Sequence, residues 1–350
     1  MPTLTAARLI DFARDLFQAA GVAPDEAEIV ARSLVEANLR GHDSHGVMRV
    51  TEYVKRLRTG EVSPGAEFQI LTDLPSLLLA DAHYGFGQMQ CRRLVEAVSA
   101  KARAQGVACG ALRWCGHIGR LGEWVELAAA QGLAAWLSVN DNGSEYSVAP
   151  PGGIAARIST NPIAFAVPTG GEPLVLDIST SAVANGKVKV ARLAGKPCPP
   201  GWVQDAEGQP STDPHVLLTD PPGTLLPLGG DQAYKGFGLG VLIDVLVSGL
   251  TGGYCPPHPG AKESNNVLLV VWDPEKFAGQ AHFRAEADHL IASIRNTPRK
   301  PGVERILLPG DRSAEIRRQR ERDGIPLSAG DWESLSKLAH ELGVTIPQSS

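Results

Sequence analysis

Cysteine is scarce: there are five, at Cys91, Cys109, Cys115, Cys198 and Cys255, and none forms a Cys-x-x-Cys pair. A scattered, odd set of this kind builds neither a disulfide frame nor a thiolate zinc site, and it predicts reduced thiols in a cytoplasmic protein. Excess positive charge is missing as well. The formal net charge is −5, which argues against nucleic acid as the main partner. No apolar run approaches the roughly 20 residues that a membrane helix needs, so no membrane partner is expected. The opening residues Met-Pro-Thr-Leu-Thr-Ala-Ala-Arg read as the start of a helix rather than a signal peptide. Nowhere does Gly-x-Gly-x-x-Gly stand between a strand and a helix, so an ordinary Rossmann domain is not expected. Internal repeats and low-complexity tracts are absent too.

What is present suits a globular protein with a buried core. The 350 residues are 43% hydrophobic and 20% charged, enough for two or three domains or one large one. Three helices are predicted first, over 5–20, from Pro24 to about Arg40, and from about residue 43 to Gly60. Short apolar strands follow at 77–80, 107–112, 133–139, 163–167 and 266–272, with helices at 88–104 and 120–131 between the first three. This alternation points to an α/β core. Residues 140–162 and 195–230 read as long loops, 241–250 as a buried segment of undecided type, and 282–296, 311–322 and 331–342 as helices. The basic run from Arg317 to Arg322 reads as a solvated helix face.

The stretch Arg40-Gly41-His42-Asp43-Ser44-His45-Gly46-Val47-Met48-Arg49 concentrates reactive side chains. One helix should end at Gly41, and the next should be capped by Asp43 or Ser44. Val47, Val50, Val54 and Leu57 then form its apolar stripe, which would place His45 and Arg49 on one face. An imidazole beside a guanidinium can move a proton while a carboxylate is held. The plainer alternative is two capping residues followed by a surface histidine and arginine. His42, Asp43 and His45 are metal-ligand types, but no partner at zinc spacing accompanies them, and no metal is expected. The helix dipole would disfavour the His45 cation and a bound carboxylate would favour it, which predicts a pKa near neutrality.

Four further segments have ligand-binding character. Gly116-His117-Ile118-Gly119-Arg120-Leu121-Gly122 opens a helix after a strand, where backbone amides attract anions. Asp177-Ile178-Ser179-Thr180-Ser181 ends a strand with polar groups. Tyr234-Lys235-Gly236-Phe237-Gly238-Leu239-Gly240 reads as a lysine in a glycine-rich turn suited to phosphate. Leu308-Pro309-Gly310-Asp311-Arg312 precedes a helix. Each also has an ordinary reading, as a loop histidine, a cap, a solvated lysine or a plain turn.

In this order the five segments make the chain resemble the type-2 malate/L-lactate dehydrogenase family of NAD(P)-dependent oxidoreductases. That family also includes ureidoglycolate and sulfolactate dehydrogenases, diketogulonate reductase and cyclic-imine reductases. The resemblance runs from the N-terminal helices to Gly324-Ile325-Pro326-Leu327. It is nearest to the broad-specificity hydroxycarboxylate dehydrogenases, on Gly186-Lys187, Pro200-Gly201-Trp202 and Thr212-Asp213-Pro214. It implies a non-Rossmann NAD(P)-binding α/β fold, with helical segments from both termini beside a central α/β domain. The implied division is a helical domain over 1–75 joined by 300–350, a connecting segment over 76–118 and a cofactor domain over 119–299. A homodimer is implied as well.

Carried onto this chain, the resemblance makes His45 the proton donor and acceptor, with Ser44 tuning it. Arg49 would hold the substrate carboxylate and His117 would line the same pocket. Gly119, Arg120, Leu121, Asp177, Ile178, Ser179, Thr180, Ser181, Lys235, Asn266, Pro309, Gly310, Asp311 and Arg312 would join His45 in contacting NAD or NADP. The expected reaction is hydride transfer between the cofactor and a small 2-oxo or L-2-hydroxy acid. The alternatives are reduction of a cyclic imine, or a relative that binds nucleotide without turnover. In the imine-reductase branch an aspartate is expected where this chain has Lys187, and an ammonium cannot accept its hydrogen bond. That departure favours 2-oxo acids.

Overall fold

The computed structural model describes residues 2–348. Helix α1 (Ala6–Ala19) begins where Thr5 accepts from the Arg8 amide, and it buries Leu9, Phe12, Leu16 and Phe17 at helical spacing. Helix α2 (Pro24–Leu39) takes proline in its first turn, with Asp25 and Glu26 at its positive end. Two 3-10 turns follow, Asp43–His45 and Val47–Arg49, before helix α3 (Val50–Thr59).

The single helix expected from about residue 43 is therefore broken. Gly46 is extended between the turns, with ψ at −156°. Buried Asn38 enforces the break, because its Oδ1 takes the Val47 amide at 2.8 Å while its Nδ2 gives to Asp43 at 2.7 Å. Asp43 and Ser44 cap no α-helix. The Asp43 carboxylate is bonded instead by Asn38 and by Arg320.

The middle of the chain builds one sheet. Its elements in order are β1 (Gln69–Leu74), β2 (Leu77–Asp81), α4 (Gly87–Gln105), β3 (Val107–Cys115), α5 (Leu121–Ala129), β4 (Ala134–Asn140), β5 (Ile163–Val167) and β6 (Leu174–Ile178). Helices α6 (Asn185–Leu193) and α7 (Ala233–Thr251) come next, then β7 (Asn265–Trp272). The strand order is β1-β2-β3-β7-β4-β5-β6. Only β2 and β3 run parallel, and α4 is the crossover that a parallel pair requires. Strand β7 sorts its side chains by the two-residue period: Val267, Leu269 and Val271 enter the core with α4 and α5, and Leu268 meets Ile243 and Val247 of α7. This mixed sheet is not a doubly wound parallel one, in keeping with the missing dinucleotide fingerprint.

Helices α8 (Gln280–Arg295), α9 (Asp311–Asp323) and α10 (Ala329–Leu342) complete the chain. Ile325, Leu327, Leu335 and Leu338 share a core with Leu9, Phe12, Leu34 and Val54, so the C-terminal segment packs on the N-terminal helices. The basic run is not wholly solvated as expected. Arg317 pairs with Glu36 at 2.6 Å and Arg320 with Asp43 at 2.6 Å, and these contacts dock α9 on α2 and the first 3-10 turn.

Three further expectations change. Residues 140–162 and 195–230 are mostly irregular, but they carry a small core around Val148, Ile158, Val203 and Leu225, and α6 was not anticipated. The supposed turn after Lys235 is the start of α7. Its glycines serve close approach, since a Cβ on Gly236 would lie 2.4 Å from the Leu228 carbonyl oxygen and one on Gly240 2.8 Å from Thr180 Oγ1. Finally, Gly230–Thr251 is long and apolar enough by length and composition to cross a membrane, against the expectation that no such run existed. Here it lies against the sheet and leaves Leu239, Leu242, Leu246 and Leu250 exposed.

Candidate active site

Ser44 Oγ lies 2.9 Å from Nδ1 of His45, on the first 3-10 turn. Gly186 permits α6 to approach this pair, because a Cβ there would stand 3.0 Å from the Ser44 Cβ. The His45 ring stacks on His117 with centroids 5.5 Å apart and planes at 26°. Burial pushes the His45 pKa down to about 3, helped by the positive charges of Arg49, His42, Arg120 and Lys187. This overturns the expectation of a value near neutrality. That expectation balanced the dipole against a substrate carboxylate, and without the carboxylate burial and the neighbouring cations win.

His117 is also held neutral, well below its usual range, chiefly by burial and then by Arg49. Its Nδ1 receives the Gly119 amide at 3.3 Å and lies 2.7 Å from the Tyr53 hydroxyl, which itself accepts from Gln88 Nε2 at 3.0 Å. A backbone amide can only donate, so Nδ1 is an acceptor and the ring proton resides on Nε2. His117 is thus set as a hydrogen-bond donor. Arg49 gives its Nε–H to the Ser44 carbonyl at 2.8 Å and one Nη1 hydrogen to Glu52 at 2.6 Å. One hydrogen on Nη1 and two on Nη2 remain, enough for a two-pronged grip on a carboxylate.

His45, Arg49 and His117 line one cavity of about 230 Å³, although no shared α-helical face brings them there. Asp141, Glu145, Glu263 and Asn265 line it as well. A second cavity of about 260 Å³ shares His45, Leu121, Thr160 and Pro162 and adds His42, Ser44, Arg120, Asp177, Ile178, Ser179, Ser181 and Lys187. Asp177 accepts the Gly122 amide at 2.7 Å and so fixes the start of α5 to β6. The Arg120 guanidinium is buried, and its Nη2 meets Glu126 at 2.5 Å.

A third cavity of about 520 Å³ lies farther along β6. Leu174, Val175, Pro309, Gly310 and Asp311 line it with Arg40, Arg295 and Arg318. Pro309 is held there by the Val175 amide at 3.2 Å. Strand β6 thus presents one end to the second cavity and the other to the third, roughly 13 Å apart at the usual rise. Arginines at one end and a small polar cavity beside His45 at the other fit an extended dinucleotide with anionic phosphates.

Not every expected residue joins these cavities. Thr180 is buried with its hydroxyl on the Thr160 carbonyl at 3.0 Å. Lys235 is exposed on the first turn of α7, 5.9 Å above the Tyr234 ring. Arg312 is exposed and lines none of the three. Asn266 is buried and engaged by the Trp114 amide at 3.0 Å, Asn140 at 3.2 Å and Asn142 at 3.0 Å. Its neighbour Asn265 faces the first cavity and accepts the Ile118 amide at 3.1 Å. Asp141, Glu145, Glu263 and Thr160 were not anticipated, because they come from irregular segments with no periodic spacing. Among the described residues no cluster of His, Cys, Asp or Glu is arranged to hold a metal.

Residues 4–336 match the family described as malate/L-lactate dehydrogenase. The chain is 36% identical to the L-lactate dehydrogenase of Cupriavidus necator over 350 residues, covering 99% of each. It is 36% identical to the Δ1-pyrroline-2-carboxylate/Δ1-piperideine-2-carboxylate reductase of Pseudomonas syringae pv. tomato over 346 residues, covering 96% of each. Malate dehydrogenase from Pyrococcus horikoshii OT3 superposes with a TM-score of 0.89 at 29% identity, covering 98% of this chain and 96% of that one.

Proposed function

Because the chain belongs to the malate/L-lactate dehydrogenase family, an NAD(P)-dependent oxidoreductase acting on a small 2-oxo or L-2-hydroxy acid, we propose that His45 moves the proton and Arg49 holds the carboxylate. The observation that carries this reading is the opening of His45, Arg49 and His117 on one cavity. When bound, the reduced nicotinamide supplies the hydride. Arg49 takes the acid end through Nη1 and Nη2, and His117 donates from Nε2 to the substrate oxygen. His45 in its neutral form accepts the hydroxyl proton during oxidation. During reduction, a carboxylate on Arg49 offsets the positive charge that, after burial, holds the His45 pKa down, and this raises the share of His45 that carries the proton it delivers.

For the cofactor, NAD or NADP, Ser44, Leu121, Asp177, Ile178, Ser179 and Ser181 border the nicotinamide end, and Pro309, Gly310 and Asp311 the adenosine end. Gly119, Arg120 and His45 lie where this nicotinamide end meets the substrate cavity. The cofactor domain spans 119–299, the connecting segment 76–118, and the helical domain 1–75 with 300–350. A homodimer is supported by the apolar stripe of Leu239, Leu242, Leu246 and Leu250 left exposed on α7. Five free cysteines suit the cytoplasm.

Lys187, beside Ser44 in the second cavity, favours a 2-oxo acid over a cyclic imine. The test follows the absorbance of NADH or NADPH with pyruvate-type 2-oxo acids and with Δ1-piperideine-2-carboxylate. We expect turnover with the 2-oxo acids, and a loss of about 10²–10⁴-fold in His45→Ala with cofactor binding retained. Near wild-type turnover in that variant would remove His45 from the proton step.

A further inference from the structure

The cavity holding His45, Arg49 and His117 has a second wall that proton and hydride transfer do not use. Asp141 comes from the loop after β4, Glu145 from farther along that loop, and Glu263 from just before β7. Glu52 and Arg56 lie beside them. The charges do not balance. Arg56 is taken by Glu52 at 3.0 Å and by Glu263, and Arg49 meets Glu52 at 2.6 Å. Asp141 has only uncharged donors, the Ser159 hydroxyl and the Asn265 amide at 3.0 Å. Glu145 has no hydrogen-bond or ion-pair partner among the described residues. Burial, followed by repulsion from Glu263 and Asp244, pushes Asp141 up to about 6; Glu145, exposed where it lines the cavity, is pushed up to about 7 by desolvation and by the charges of Asp141 and Glu263.

A site meant only for a short apolar tail has no use for these two carboxylates, and a second substrate carboxylate would add a like charge to a wall already short of cations. We propose that Asp141 and Glu145 select 2-oxo acids whose far end carries a guanidinium. Arg49 receives the carboxylate at one end of the cavity and the acidic pair receives the nitrogen at the other. Attraction at both ends fixes the direction in which the substrate lies, with its carbonyl between His45 and His117. This rests on the reading of the cavity as a 2-oxo acid site.

The test compares kcat/KM for three 2-oxo acids of equal main-chain length with saturating reduced cofactor. These are 2-oxo-5-guanidinopentanoate, 2-oxopentanoate and 2-oxoglutarate. The wild type should prefer the guanidinium compound to 2-oxoglutarate by roughly tenfold or more, with 2-oxopentanoate between them. In Glu145→Gln and Asp141→Asn the ratio of cationic to neutral substrate should fall severalfold, and turnover of 2-oxopentanoate reports that each variant is folded. Equal use of all three, or a preference for 2-oxoglutarate, overturns the proposal. An unchanged ratio in both variants does the same. If none of the three is reduced by either cofactor, the reading of the cavity itself falls, and this inference with it.

Discussion

The Tyr53 hydroxyl stands 2.7 Å from Nδ1 of His117 and takes the Gln88 amide at 3.0 Å, so a residue on α3 supports the tautomer that the Gly119 amide sets for a histidine on the loop after β3. Tyr53→Phe keeps the ring but leaves Nδ1 with only the longer bond from Gly119. The buried Gln88 amide also loses its acceptor, which costs about 1–3 kcal/mol. We expect a lower Tm and a kcat/KM reduced roughly tenfold, with the loss in kcat rather than in cofactor affinity. Wild-type kcat in a destabilised Tyr53→Phe would show that the hydroxyl serves packing alone.

Arg49→Lys keeps the charge and loses the planar fork. Charge-assisted bonds of this type contribute on the order of 1.5–3 kcal/mol, so catalytic efficiency on 2-oxo acids should fall ten- to a hundredfold. A ketone without a carboxylate should be a poor substrate for both forms, with little difference between them. Equal rates on the best 2-oxo acid would exclude the clamp.

Gly46→Ala tests the break between the two 3-10 turns. A Cβ there would lie 2.2 Å from Asn38 Oδ1, and the φ of −91° is ordinary, so the conflict is steric. Asn38 must then give up the Val47 amide or Asp43. We expect a cost of about 1–3 kcal/mol and a disproportionate loss of activity, because the displaced turn carries Ser44 and His45. Comparing thermal melts with kcat measures the two effects separately. Full activity would mean that the turn tolerates repacking.

Glu123 supplies a pH test. Burial pushes its pKa from the ordinary 4.5 up to about 7, against the weaker opposing effects of Ser33 and Arg120. As pH rises between those values the unfolded chain releases the proton and the folded chain keeps it, so stability falls through that window and stays lower above it. Glu123→Gln removes the titration. Its gain in stability over wild type, read from thermal melts, should be small near about pH 5 and larger near about pH 8, reaching on the order of 2 kcal/mol after allowance for partial exposure. A gain independent of pH would assign the effect to packing.

Much of this was written in local sequence. The apolar spacing of Leu9, Phe12 and Leu16 or of Val267, Leu269 and Val271 follows from which face each element buries, and it is legible without neighbours. The pairing of His45 with Arg49 was legible as a constellation, but its geometry was not. Asn38 belongs to the preceding helix, and no spacing rule shows that its amide will replace a helical bond at Val47. The lysine segment misled for a related reason. Gly236 and Gly240 look like turn residues until Leu228 and Thr180 are seen pressed against them. Asn265 and Asn266 differ only in which side of β7 each faces where the register shifts, and that shift is a property of the pairing with β3. The acidic wall was hidden because its members come from separate irregular segments that only the folded chain brings together.

The bond from Arg320 to Asp43 joins residues 277 positions apart. During synthesis the turn bearing Ser44 and His45 therefore emerges early and waits for its last anchor until α9 has been made. A nascent or C-terminally truncated chain can form the sheet while this turn lacks its brace. Chemical competence should accordingly arrive at the end of translation, after the core of the central sheet is already closed, and a protease that nicks the chain just before α9 should silence the enzyme sooner than it opens that core.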